Sequence, residues 1–286
     1  MYISRKQIDA ARGFTLVEIA VVLVILGLLF TLLAGVATSL LAQQKRELTR
    51  SRLAGVDAAL TLFVSQNQRL PCGADGTLAS GAGGAGAEQW AAGACTTAQA
   101  NGVVPWRALG LAEQDITDGW GNRMTYRVAT PLVAINAMNF TTCDPGGTGA
   151  AVAGVCNAAC ASATFPASCT PPQAVTANKG LLVKNLGGTI VMNPAAAPST
   201  GAAYVVISHG ENGAGAYSAQ GILQAGNGTG GVGEEAKNFA NAPLGAGTYY
   251  VDDFASYTTP GYFDDFVLRP AILTVASKAQ LGARAH

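Results

Sequence analysis

The sequence predicts an α+β protein: one long amino-terminal helix followed by a domain built mainly of short strands. Three observations carry this prediction. An apolar run from about Phe14 to Leu41 contains a single charged residue, Glu18. From Gln43 to Gln68, apolar residues recur at helical spacing among polar ones, so the same helix continues beyond the run. After Pro71 the chain breaks into short β-branched or aromatic stretches bounded by Gly, Pro, Asn and Asp. Strands gathered behind one long helix make an α+β arrangement.

The leader, residues 1–13, carries Arg5, Lys6 and Arg12 against one acid, Asp9. By the positive-inside rule it stays on the cytoplasmic side of a membrane that residues 14–42 would cross. About 20 apolar residues at ~1.5 Å rise span a bilayer core, where only a helix satisfies its own backbone. A secretory signal peptide is the alternative, but this run exceeds the usual apolar region of one. Its nearest small-residue cleavage candidate, Ala34-Gly35-Val36-Ala37, is not clean. Residues 43–70 are the amphipathic continuation, with Leu48, Leu53, Val56, Leu60, Phe63 and Val64 as the stripe that packs on the domain. Leu70-Pro71 ends the helix, because proline disfavours helix in the residue before it.

Residues 71–286 form the globular domain. The 36 glycines and 12% charged residues point to many loops, and the equal counts of 17 basic and 17 acidic residues give no basic excess for nucleic acid. Gly73 to Gly102 reads as a weakly ordered Gly/Ala loop whose one bulky residue is Trp90. Asp118-Gly119-Trp120-Gly121-Asn122 is dense in turn signals, with Trp120 expected as a core anchor. Strands are expected at Arg123–Thr130, Leu132–Met138, Leu181–Lys184, Thr189–Met192, Ala203–Ser208, Tyr249–Phe254 and Asp265–Leu268.

The six cysteines, Cys72, Cys95, Cys143, Cys156, Cys160 and Cys169, all follow the helix. An even number in an exported domain reads as disulfides of open connectivity. Cys72–Cys95 is the favoured pair because it closes the Gly/Ala loop, and Thr141 to Thr176 reads as a stapled insertion. Metal binding by Cys156 and Cys160 lacks a second close pair or a nearby histidine.

Glu18 is the anomaly of the apolar run, since an ionisable group there calls for a partner. A cut after Gly13 would give Phe14 a new α-amine four residues from Glu18. Gly13-Phe14-Thr15-Leu16-Val17-Glu18 followed by an apolar helix resembles the leader junction of type IV prepilins and type II secretion pseudopilins. The resemblance implies a prepilin peptidase that cleaves between Gly13 and Phe14 and methylates Phe14, with Glu18 pairing with that amine during assembly. It also implies an inner-membrane subunit with its domain in the periplasm. Its partners would be other pilin or pseudopilin subunits and an inner-membrane platform with an ATPase motor. Size and irregular insertions favour a minor subunit. Many type IV pilins carry a proline near the position of Gly35.

Other functions were weighed on their residues. Ser208 and His209 are adjacent in a strand and point to opposite faces, so they make no catalytic pair. No P-loop, dinucleotide fingerprint or HExxH motif is present. No enzyme activity and no cofactor are therefore expected, with calcium as the one candidate ion. Major pseudopilins carry a calcium-binding loop near their carboxyl end. This chain lacks that compact loop, but Asp252, Asp253, Asp264 and Asp265 supply oxygen ligands. An adhesin or tip-binding module using the Gly-rich loops, and a signal-anchored periplasmic enzyme, are the rival classes.

Overall fold

A computed structural model describes residues 15–96, 99, 101–140, 176, 178–196, 199–225, 233–242, 247–258 and 261–282, without the side chains of 30–36. The leader, Gly13, Phe14 and the expected insertion with Cys143, Cys156, Cys160 and Cys169 lie outside the described residues. The chain divides into two units, Met1–Lys45 and Arg46–His286.

Helix α1 runs from Leu16 to Asn67. In the first unit its described side chains are almost all exposed. The expected membrane span over residues 14–42 does not emerge as such: among the described residues, no helix is long and apolar enough to cross a membrane. The side chains on either flank of residues 30–36, such as Leu29 and Leu40, are exposed.

In the second unit, Leu53, Val56, Leu60, Phe63 and Val64 are buried along one stripe of α1. Leu48 departs from the expected stripe and is 43% exposed, while Thr49 is buried in its place. Thr49 is polar yet useful there, because its Oγ1 accepts the Gly119 amide at 2.9 Å. The helix stops where Gln68 takes a positive φ of 55°, and the Gln68 amide donates to Val64 O at 2.8 Å.

The strands among the described residues are β1 (Ala74–Asp75), β2 (Trp90–Ala91), β3 (Ala94–Cys95), β4 (Gly102–Val103), β5 (Asn122–Arg123), β6 (Thr125–Val128), β7 (Val183–Lys184), β8 (Ile190–Met192), β9 (Tyr204–Ser208), β10 (Tyr217–Ser218), β11 (Tyr250–Val251) and β12 (Phe266–Leu268). The main sheet has the order β1-β4-β6-β9-β12, and every pairing in it is antiparallel. Its centre is the β6–β9 ladder, with Thr125 opposite Ile207 and Val128 opposite Tyr204. Alternation along these strands sorts the core. Tyr126, Val128, Tyr204 and Val206 join the α1 stripe in one cluster. Val205 and Ile207 face Val183, Met192 and Tyr250 in a second. That second layer is the sheet β11-β7-β8, whose β7–β11 pairing is parallel rather than antiparallel.

A carboxyl-terminal helix, α2 (Ile272–Lys278), buries Ile272, Val275 and Ala276 in the first cluster. Each buried aliphatic side chain contributes on the order of 1.5–3 kcal/mol, so this short helix is held by packing rather than by propensity.

Three expectations are corrected. Leu132–Met138 is not a strand: Thr130–Leu132 forms a short 3-10 helix with Pro131 in its first turn, and turns follow. Proline fixes φ near −65° and lacks a ladder donor, and Asn136 adds a positive φ of 60°. The stretch Gly73–Gly102 is not weakly ordered where it is described. It contributes β1, β2, β3 and the first residue of β4, and the Cys72–Cys95 disulfide closes it. Trp90 donates from Nε1 to Val133 O at 3.2 Å, and the Arg69 guanidinium sits 4.1 Å from its ring centre. Trp120 is half-buried and packs 6.0 Å from the Phe266 ring; Trp106, 5% exposed, is the tryptophan of the core.

Candidate functional site

Two places hold residues singled out by their chemistry, one in each unit. The first is the start of α1. The Thr15 amide and Thr15 Oγ1 both donate to Glu18 Oε2 at 2.9 Å, and the Glu18 amide donates to Thr15 Oγ1 at 3.3 Å. This is a reciprocal capping box, in which Thr15 caps the helix and the acid three residues later returns to the cap. Its signal, Thr15-x-x-Glu18, stands in the sequence inside the processing motif. The carboxylate of Glu18 thus serves the helix's first turn while it also sits where the positive end of the helix dipole favours an acid. Gly13 and Phe14, the other two residues of the processing motif, lie outside the described residues.

The second place is the turn after β9 and the segments beside it. The four predicted aspartates border one cavity of about 520 Å³, but their carboxylates engage different partners. Asp252 accepts from Arg269 Nε. Asp253 accepts the amides of Leu186 at 3.0 Å and Phe254 at 2.8 Å. Asp264 and Asp265 instead group with Glu235, with one ligand atom from each lying within 4.8 Å of the others, and all three are buried. Glu235 comes from the short 3-10 helix Glu235–Asn238. Glu235 stands outside the four predicted aspartates, because no spacing rule joins residue 235 to residue 264.

The network around these acids is specific. Asp264 Oδ2 accepts the amides of Glu211 and Asn212 at 2.7 and 3.0 Å and the Tyr262 hydroxyl at 3.1 Å. Asn212 Nδ2 donates to Glu235 Oε1 at 3.0 Å, and Asn238 Nδ2 donates to Asp265 Oδ2 at 2.7 Å. Gly210 has a φ of 55° and lies so close to the Asp264 backbone oxygen that a Cβ would collide with it. Burial pushes the Asp265 carboxyl well above its ordinary range, and neighbouring Glu235 and Asp264 add to the rise against the Asn238 hydrogen bond.

Ser208 and His209 separate as their alternation requires. Ser208 Oγ donates to Asp118 Oδ2 at 2.8 Å on one side. On the other, His209 Nε2 meets Thr125 Oγ1 at 2.8 Å, and its Nδ1 lies 3.9 Å from Asp265 Oδ1. Complete burial, with the Arg127 charge as a second cause, holds the imidazole down to about 3 and therefore neutral. Neither residue activates the other.

The sequence of the first place matches a known motif. Residues 9–34 fit the prokaryotic N-terminal methylation motif, and this chain therefore carries the hallmark of the type IV pilin and pseudopilin families. No curated protein and no solved structure matches the chain.

Proposed function

We propose that the chain is a structural subunit, of the minor kind, in a type IV pilus or a type II secretion pseudopilus. The observation that carries the reading is the methylation motif over residues 9–34, with Glu18 at the head of a 52-residue helix. In this reading a prepilin peptidase cuts between Gly13 and Phe14 and methylates Phe14. The apolar part of α1 anchors the precursor in the inner membrane, with the amino terminus cytoplasmic and the domain periplasmic. An assembly platform with its ATPase motor then extracts the subunit into a filament, where α1 packs against the helices of other subunits. Glu18 serves twice, first as the acid of the capping box and then as counter-charge to the new amine. The protein acts by assembly and not by turnover.

The test is intact-mass measurement of the membrane-extracted protein, expressed with and without a prepilin peptidase. The expected product begins at Phe14 and carries one methyl group, and it appears only with the peptidase. An uncut chain, or one cut near Ala37, would overturn the reading.

A further inference from the structure

We infer that the second unit holds one small monovalent anion, chloride in ordinary buffers, against the buried guanidinium of Arg127. Arg127 lies in β6 opposite Val205 of β9, so its side chain leaves the sheet on the side of the second core cluster. The residue is 1% exposed. Its Nη2 donates to Phe239 O at 3.2 Å and also to Ala240 O. Its Nε and Nη1 are buried and have no hydrogen-bond partner among the described residues. Among those residues, no carboxylate forms an ion pair with it either.

A guanidinium keeps its proton inside proteins, so Arg127 is a permanent charge, and a buried charge without a partner is strongly destabilising. The groups around it do not neutralise it. His209 is held neutral by burial, with the Arg127 charge as the second cause. The phenols of Tyr250 and Tyr217 would relieve the cation only if they ionised, and burial pushes both of them up, so they stay neutral. A buried water would satisfy the free N–H groups but leave the charge. One monovalent anion does both, whereas sulfate or hydrogen phosphate would replace an excess positive charge by an excess negative one. Tyr250, 3% exposed, supplies a neutral hydroxyl as a further donor on this side of the sheet. A cavity of about 430 Å³ bordered by Gln99, Val128 and Tyr250 gives solvent ions a way in. Gln99 is fixed there, since its Nε2 donates to Val128 O at 3.2 Å and its Oε1 accepts the Val128 amide at 2.9 Å.

The test uses the full-length protein in detergent, dialysed into sodium gluconate, whose anion is too large for a buried position. Sodium chloride then replaces gluconate at constant ionic strength while thermal unfolding is followed. A rise in Tm of about 3 °C that saturates below about 100 mM chloride is expected, because an ion bound only by the folded state stabilises it. Bromide should substitute. Arg127→Met should abolish the response. Tyr250→Phe keeps the charge and removes one donor, so half-saturation should need about tenfold more chloride. Lys237→Met, at an exposed cation, should respond like the unaltered protein. Equal Tm in the two salts, or a change that grows linearly without saturating, would overturn the inference and leave water beside Arg127. So would an unchanged chloride response in Arg127→Met. Should that variant not fold, Tyr250→Phe decides alone, and an unshifted half-saturation overturns the inference. None of these readouts depends on peptidase processing, so failure here and failure of the filament reading are separable.

Discussion

The hydroxyl of Tyr204 donates to Asp57 Oδ1 at 2.6 Å, and Lys278 Nζ lies 2.8 Å from the other oxygen of the same carboxylate. One acid on α1 thus receives the central strand and the carboxyl-terminal helix together. Burial, and then the Asp57 charge, raise the Tyr204 pKa, so the phenol stays a donor throughout the usable pH range. Tyr204→Phe removes only the hydroxyl. A hydrogen bond to a charged group contributes about 1.5–3 kcal/mol, and a loss near the lower figure is expected in urea unfolding, with processing at Gly13 unchanged. Stability equal to the unaltered protein would mean that apolar packing alone sets the seam.

Arg123 is a heavily bonded buried cation. Its guanidinium reaches Glu113 Oε1, Gly76 O, Leu78 O, Ser80 Oγ and Ala219 O, and the arginine is 1% exposed. Arg123→Met would strand three carbonyls and an acid, and a cost of about 3 kcal/mol is expected. Arg123→Lys keeps the charge but not the planar fork, so denaturant unfolding should show it recovering less than half of that loss.

The Cys72–Cys95 disulfide spans 23 residues of sequence. Loops of this size gain about 3 kcal/mol from closure in the chain-entropy description. Peptide mapping without reductant should recover these two cysteines joined, and Cys72→Ser with Cys95→Ser should lower stability by about that amount. The strand pair β2–β3, which places Trp90 opposite Cys95, should then show the largest rise in amide exchange.

His209 offers a test of burial through pH. Its folded pKa is depressed to about 3, below the ~6.5 of an unfolded histidine. The unfolded chain therefore binds this proton first. The contribution is complete above about pH 6.5 and declines as pH falls toward 3. Imidazole nitrogen shifts should report a neutral ring from pH 7.5 to 5, and His209→Gln should flatten the pH dependence of stability over that interval.

What the sequence showed and what it hid follow from the range of the interactions. The helix, its apolar stripe and the favoured cysteine pair are patterns within short windows, and they appear with their residues nearly unchanged. The strands at Tyr204–Ser208 and Phe266–Leu268 were visible by composition, but their adjacency in the sheet has no local signal. Trp120 and Trp106 look alike as residues, and no local signal tells the half-buried one from the buried one. Glu235 joined Asp264 and Asp265 through the turn after β9, a juxtaposition that requires the whole domain. The capping role of Glu18 was legible and overlooked, because the same four residues also spell a processing signal.

The central ladder of the sheet pairs Val128 with Tyr204 and Thr125 with Ile207, joining segments far apart along the chain. Such distant pairings form late and slowly. A chain made from its amino terminus therefore holds β6 with only its β4 edge paired until synthesis has passed Ser208. Tyr126 and Val128, fully buried or nearly so in the finished domain, lack their neighbours Val206 and Tyr204 for that whole interval. The vulnerable period of this protein lies between making β6 and making β9, and any factor that guards it against aggregation has its work there.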